Sequence, residues 1–131
     1  TQLKTVEDIM LIKQKIPFIS EDSNMKNALK IITQKKLGTL IVRNTLGNTT
    51  GIITDGQIRR LNQENILLHS LKVKKVMTRN PIKVDKEMLA TKALSIMNDK
   101  KITSLCVFNG FNKKKTIGIV HIHNILGSNI D

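Results

Sequence analysis

Two stretches of the chain are copies of one another, and this constrains the fold more than any single motif does. A shift of 65 positions lays residues 19–44 on residues 84–109. Ala28, Leu29, Ile31, Lys35, Lys36, Leu40, Val42 and Asn44 then meet Ala93, Leu94, Ile96, Lys100, Lys101, Leu105, Val107 and Asn109. At both ends of this block the shift becomes 67: VEDIM at 6–10 matches VKKVM at 73–77, and GII at 51–53 matches GIV at 118–120. The length changes are expected in loops. A tandem repeat with units 1–66 and 67–131 follows, both built from one order of elements. The first residue is Thr1 rather than Met, so the chain is expected to be a piece of a longer one.

Each unit can be read from its own pattern. Thr5 before Val6, Glu7 and Asp8 predicts a short helix with a Thr cap and an acidic first turn, and Ser70 before residues 71–77 takes the corresponding part. Short strands are expected at 17–20 and 81–84, each opened by a Pro. Asp22 and Ser23 then predict the cap of a helix whose Met25, Ala28, Leu29 and Ile32 fall at i, i+3, i+4 and i+7; Leu89, Ala93, Leu94 and Met97 give nearly the same stripe in the second unit. Residues 39–43 and 104–108 are continuous apolar, β-branched-rich runs, which predict strands covered on both faces. Turns at 44–48 and 109–115 lead to return strands at 51–54 and 117–121. Closing helices follow, carrying Ile58 and Leu61, then Ile125 and Leu126. The order is α-β-α-β-β-α, twice.

That order, with the motifs in it, resembles a tandem pair of cystathionine-β-synthase-type (CBS) domains. GIITDGQIRR at 51–60 with GIVHIHNIL at 118–126 is similar to the paired motifs of the arabinose-5-phosphate isomerase family, and VMTRNPIKV at 76–84 and KKITSLCVF at 100–108 point the same way. The likeness runs from Val6 to Leu126. It implies an α/β (α+β) fold of two pseudo-symmetric CBS units, packed sheet against sheet as one CBS pair module. The cleft between them would be lined by 51–60 and 118–126. In that family such a pair follows an N-terminal sugar-isomerase domain that carries the active site and is absent here. The resemblance therefore implies a regulatory segment and not an enzyme, with that isomerase domain and a second copy of the pair as partners. The implied parent interconverts ribulose 5-phosphate and arabinose 5-phosphate on the way to the Kdo sugar of lipopolysaccharide. No cofactor is required; the expected ligand is a nucleotide or nucleotide sugar, either an adenine nucleotide or CMP-Kdo. The alternative is a ligand-free dimerisation and packing module of the same enzyme.

Elementary chemistry points to the same segments. In each unit a Gly, Gly51 or Gly118, allows close backbone approach, and the chain then enters a helix whose free N–H groups favour a phosphate or carboxylate. Thr54 brings a hydroxyl, Asp55 opens the helix, and Arg59 and Arg60 can supply charge-assisted bonds. The CBS pattern runs Gly, two spacers, Thr or Ser, two spacers, then an Asp that holds a ribose. Here Gln57 stands at the first Asp position, while His121 and Asn124 stand at the second hydroxyl and Asp positions. A neutral amide can bond a diol, as a weaker acceptor than a carboxylate. Neither Thr54 nor His121 is expected in the core. His121 and His123 form an HxH pair whose rings would share one side of a strand, but no third ligand lies near, so hydrogen-bonding or anion-contact roles are expected and no metal.

Composition then excludes several classes. Twenty-two Lys and Arg against ten Asp and Glu give a net charge of +12, which invites a polyanion. Yet Phe18, Phe108 and Phe111 are the only aromatics, too few for a base-stacking platform, and the basic residues are spread along the chain rather than gathered in an arm. A lysine-rich solvated surface is expected, with no specific nucleic-acid partner. No apolar run approaches the roughly 18 residues of a membrane span and no signal sequence opens the chain, so a cytoplasmic protein with no membrane partner is expected. Cys106, the single cysteine, cannot form an internal disulfide and reads as a small core hydrophobe.

Overall fold

The two apolar runs become the middle strands of two sheets in the computed structural model of the chain, which describes residues 3–127. In the first sheet β1 (Phe18–Ser20) lies parallel to β2 (Thr39–Arg43), and β2 pairs antiparallel with β3 (Thr49–Thr54). A further short strand, β4 (Thr78–Arg79), pairs antiparallel with β3. In the second sheet β5 (Lys83–Asp85) lies parallel to β6 (Ser104–Phe108), which pairs antiparallel with β7 (Gly118–His121). Four of the five residues of β2 and of β6 are buried, as strands covered on both faces require.

Among the described residues there are six α-helices: α1 (Val6–Ile9), α2 (Met25–Lys35), α3 (Asp55–Gln63), α4 (Val73–Val76), α5 (Ala90–Lys100) and α6 (Ile122–Leu126). The predicted order is observed in both repeats, with 3₁₀ turns added at Lys13–Lys15 and Leu68–Ser70. On α2 the buried residues are Met25, Ala28 and Ile32; on α5 they are Ala90, Ala93 and Met97. Each stripe faces its own sheet. One core gathers Ile19, Met25, Leu40, Val42, Ile53 and Ile58, and the other Val6, Met97, Leu105, Val107, Val120 and Ile125.

The sequence boundary at 66/67 divides the repeats, but packing groups the chain differently. Residues 17–81 form one compact unit; 1–16 with 82–131 form the other, the outermost of these residues lying outside the described range. The reason is an exchange of helices. In the first unit Val73 N–H donates to Ser23 O at 2.8 Å and Met25 N–H to Leu71 O at 2.9 Å, docking α4 against the start of α2. In the second, Val6 N–H donates to Met88 O and Ala90 N–H to Lys4 O, both at 2.8 Å, docking α1 against the start of α5. The second residue after each short helix then joins the sheet: Thr78 pairs with Ile52, and Leu11 exchanges bonds with Ile119 at 2.9 and 3.0 Å.

The methionine that ends each exchanged segment lies on the glycine of the return strand. A Cβ built on Gly51 would sit 2.6 Å from Met77 Sδ and 2.8 Å from Thr78 O; one on Gly118 would collide with Met10 Sδ and Cγ. The segments that share the shift of 67 are thus the segments that touch. Charge separates the two docking sites. Lys74 of α4 pairs with Asp22 at 3.5 Å, whereas Glu7 of α1 pairs with Lys86 at 3.4 Å. Putting α1 in the place of α4 would set Glu7 against Asp22. Exposed pairs of this kind contribute only about 0.2–1 kcal/mol each, enough to bias a choice between near-copies.

Several local expectations are corrected. The cap of α2 is Asn24, whose Oδ1 accepts from Asn27 N–H at 3.0 Å, because Asp22 is drawn to Lys74 and the Ser23 hydroxyl accepts from the Asn27 amide. Ser70 closes a 3₁₀ turn by donating to Leu67 O at 3.1 Å, and α4 starts after Lys72. Leu89 is exposed at the cap of α5 while Ala90 takes the core position, and Leu126 is exposed as well. Strand β4, two exposed residues, carries no apolar signal and went unpredicted.

The glycine contacts yield a prediction. Gly51→Ala and Gly118→Ala should each destabilise by about 1–3 kcal/mol in urea unfolding, through overpacking against methionine and backbone. Gly56→Ala, where the nearest atom to a new Cβ is Thr54 Oγ1 at 3.8 Å, should be neutral or stabilising by up to about 1 kcal/mol.

Candidate functional site: the strand-to-helix turns

In the first unit β3 ends at Thr54, whose extended backbone (φ −122°, ψ 157°) makes it the N-cap of α3. Its hydroxyl accepts from Gln57 N–H at 3.3 Å, and Gln57 Oε1 accepts in return from Thr54 N–H at 2.9 Å. This is a reciprocal capping box, built by Thr and Gln at the spacing such a box demands. Gln57 also reaches across the sheet edge: its Nε2 donates to Thr78 Oγ1 at 2.6 Å and to Val76 O at 3.3 Å. One side chain therefore caps α3 and ties it to the segment that follows α4. Asp55 is exposed and its N–H donates to Gly38 O at 2.9 Å. Arg59 and Arg60 are exposed on α3.

The second unit repeats the device with different groups. His121 is the N-cap of α6; its Nδ1 accepts from His123 N–H at 3.2 Å, while Asn124 Oδ1 accepts from His121 N–H at 3.0 Å. An Nδ1 that accepts carries no proton, so this network assigns the ring proton to Nε2. His121 is 9% exposed, contrary to the expectation that it lies outside the core, and its ring stacks on that of exposed His123 with centroids 4.7 Å apart. Burial, and then the neighbouring His123, hold the His121 pKa below its ordinary value near 6.5.

The structure therefore brings Thr54 together with Gln57, and His121 with His123 and Asn124. The space above Gly51 and Gly118, expected to admit a ligand, is taken by Met77 and Met10. The role of Thr78, a partner of Gln57 across the sheet edge, escaped the sequence reading because its signal lies 21 residues away on a strand of two residues. Cys106 is 1% exposed and burial pushes its thiol pKa up to about 11, as suits a core group rather than a nucleophile. Among the described residues no three His, Cys, Asp or Glu side chains gather in a group that could hold a metal ion. No helix among them is long and apolar enough to cross a membrane.

Comparison with known proteins agrees with the fold. The family model for the CBS domain matches residues 6–64 and 73–130. The chain belongs to the CBS domain family, as a pair. Arabinose 5-phosphate isomerase KdsD of Yersinia pestis is 36% identical over 128 residues, which are 98% of this chain and 38% of that protein. The chain thus spans about two fifths of the length of the curated relatives it matches. Among solved structures, the Arabidopsis thaliana CBS-pair protein CBSX2 in complex with AMP superposes with a TM-score of 0.82 at 23% identity, covering 95% of this chain and 94% of that one. A CBS domain pair solved with 5′-methylthioadenosine and S-adenosyl-L-methionine gives 0.83 at 21% identity, covering 96% and 95%.

The histidine cap generates a pH prediction. With its folded pKa lowered, His121 takes up a proton more readily in the unfolded chain, so stability is full above about 6.5 and falls as pH drops through that value toward the folded pKa. Protonation at Nδ1 would also turn the cap acceptor into a donor facing another donor. Urea unfolding should show this loss in the parent chain between neutral pH and the onset of carboxylate titration. His121→Asn, which keeps a cap acceptor, should flatten it.

Proposed function

We propose that this chain is the ligand-sensing regulatory part of a larger cytoplasmic sugar-phosphate isomerase, one that interconverts ribulose 5-phosphate and arabinose 5-phosphate for Kdo and lipopolysaccharide synthesis. The observation that carries this is coverage: 98% of the chain aligns with KdsD, yet only 38% of KdsD aligns with the chain. What is left over in the relative has room for a catalytic domain. The CBS pair then works on that domain and on a second copy of itself.

The ligand in this reading is an anionic nucleotide or nucleotide sugar at the strand-to-helix turns. AMP and S-adenosyl-L-methionine in structural neighbours support an adenine nucleotide; CMP-Kdo is the pathway-product alternative. At the first turn Arg59 and Arg60 supply the positive charge beside Thr54 and Asp55; the second turn offers the polar groups of His123 and Asn124. A second reading is favoured by a specific observation. Gln57 and Asn124, at the positions where the family places ribose-binding carboxylates, are both committed to capping boxes, and Gln57 to Thr78 as well. On that reading the pair is a ligand-free dimerisation and packing module.

Thermal-shift screening against AMP, ATP, CMP, CMP-Kdo and arabinose 5-phosphate separates the two. A ligand that binds only the folded form adds about 2.7 kcal/mol at 100 times its Kd, a readily measured rise in Tm. Replacing exposed Arg59 and Arg60 by Gln should abolish that rise and leave the ligand-free Tm unchanged; Thr54→Val is a poorer probe, since losing the cap costs about 1 kcal/mol by itself. No shift with any ligand decides for the packing module. The chain alone should show no conversion of arabinose 5-phosphate in a direct isomerase assay, and measurable conversion would overturn the regulatory assignment.

A further inference from the structure

The turn between β6 and β7 carries a feature that neither reading uses. Phe111, one of three aromatic residues in the chain, is 100% exposed. It is not on a loose segment. Asn112 N–H donates to Asn109 O at 2.7 Å, Phe111 N–H to Asn109 Oδ1 at 3.3 Å and Lys114 N–H to Asn112 Oδ1 at 3.2 Å, so two asparagines fold the turn and hold the ring at its tip. Lys113, Lys114 and Lys115 follow, all exposed, and Lys83 reaches the same turn by donating from Nζ to Lys113 O at 3.2 Å. The adjacent carboxylate, Asp85 on β5, accepts from Glu87 N–H at 2.9 Å. The matching turn in the other unit uses the same asparagine: Leu46 N–H donates to Asn44 Oδ1 at 3.0 Å, and Leu46 is 73% exposed. That turn has no lysine run.

We propose that the β6–β7 turn is a peripheral contact site for an anionic lipid surface, with the Phe111 ring entering the headgroup boundary and Lys113, Lys114 and Lys115 facing the acidic headgroups. Charge and size both select this partner. A second copy of a chain carrying +12 is repelled by a lysine-rich turn. An acidic protein would need roughly 800 Å² of matching surface, whereas one aromatic tip offers about 150–250 Å². A lipid interface demands no shape match; a single amphipathic tip with basic neighbours gives weak, reversible binding to it. The expectation of no membrane partner rested on the lack of a spanning segment, and a surface contact needs none.

The test is co-sedimentation of the chain with phosphatidylcholine vesicles containing or lacking phosphatidylglycerol, at low ionic strength. Binding is expected only to the anionic vesicles. Phe111→Ala should lower the partition about tenfold or more, and replacing Lys113, Lys114 and Lys115 by Gln should lower it on the order of 100-fold, about fivefold per lysine. Leu46→Ala should bind as the parent does. Because the chain has no Trp, Phe111→Trp gives a single reporter whose emission should shift to the blue with anionic vesicles. The proposal is overturned if the parent ignores anionic vesicles or if Phe111→Ala binds unchanged. It is also overturned if replacing exposed Lys26, Lys30 and Lys92 by Gln costs as much as the loop triple, which would make the attraction one of general charge. Poly-glutamate producing the same blue shift would assign the turn to an acidic polypeptide instead.

Discussion

A methionine laid on a glycine, once in each unit, is the contact on which the rest of the structure depends. The glycine removes the side chain that would keep a crossing segment away, and the methionine, unbranched and adaptable, fills the space left. Once the contact is made, the following residue falls into hydrogen-bonding range of the return strand, so Thr78 and Leu11 extend their sheets. The short helix just before is then placed over the start of the longer one. Four residues of helix have little stability alone; α1 and α4 exist because both of their ends are fixed by contacts in the unit they join.

The capping boxes constrain any ligand proposed for these turns. The two turns carry Thr with Gln, then His with Asn, and in each case the groups satisfy the first turn of a helix. A ligand entering either turn must exchange with bonds already made, so its affinity depends on what the exchange returns. Gln57 makes this sharper than Asn124 does, because it is also bonded to the segment following α4. Drawing Gln57 onto a ligand would release that segment, whereas Asn124 would release only its own cap.

Much of the fold was legible because the repeat doubles every signal. The covered strands β2 and β6, the apolar stripes of α2 and α5, and the turns anchored by Asn44 and Asn109 could each be checked against a copy. What escaped were features set by partners distant in the chain. Asp22 is a good cap by type, yet Lys74 claims it and Asn24 caps instead; Thr78 and Arg79 are a strand only because β3 offers an edge. His121 reads as an exposed ligand by residue type, whereas the end of β7 carries it into a buried position. Local pattern could not tell that each short helix serves the unit of the other repeat, since VEDIM and VKKVM share one apolar pattern and differ chiefly in the sign of the charges beside their docking sites.

That exchange separates the two units in the order of synthesis. The unit at 17–81 is an unbroken piece of chain and can form its contacts as soon as it is made. The other must close a loop around the whole of it before Met10 can reach Gly118, and such closure costs entropy that only late contacts return. During synthesis at about 5–20 residues per second, α1 leaves the ribosome several seconds ahead of β7. Through that interval Val6 and Met10 have no glycine-bearing strand of their own to cover, and the similar site next to Gly51 is made first and stands open until α4 and Met77 follow it. The opposite charges on the two short helices then matter most as a guard on that vacant interval, keeping the first helix made out of a place meant for the second.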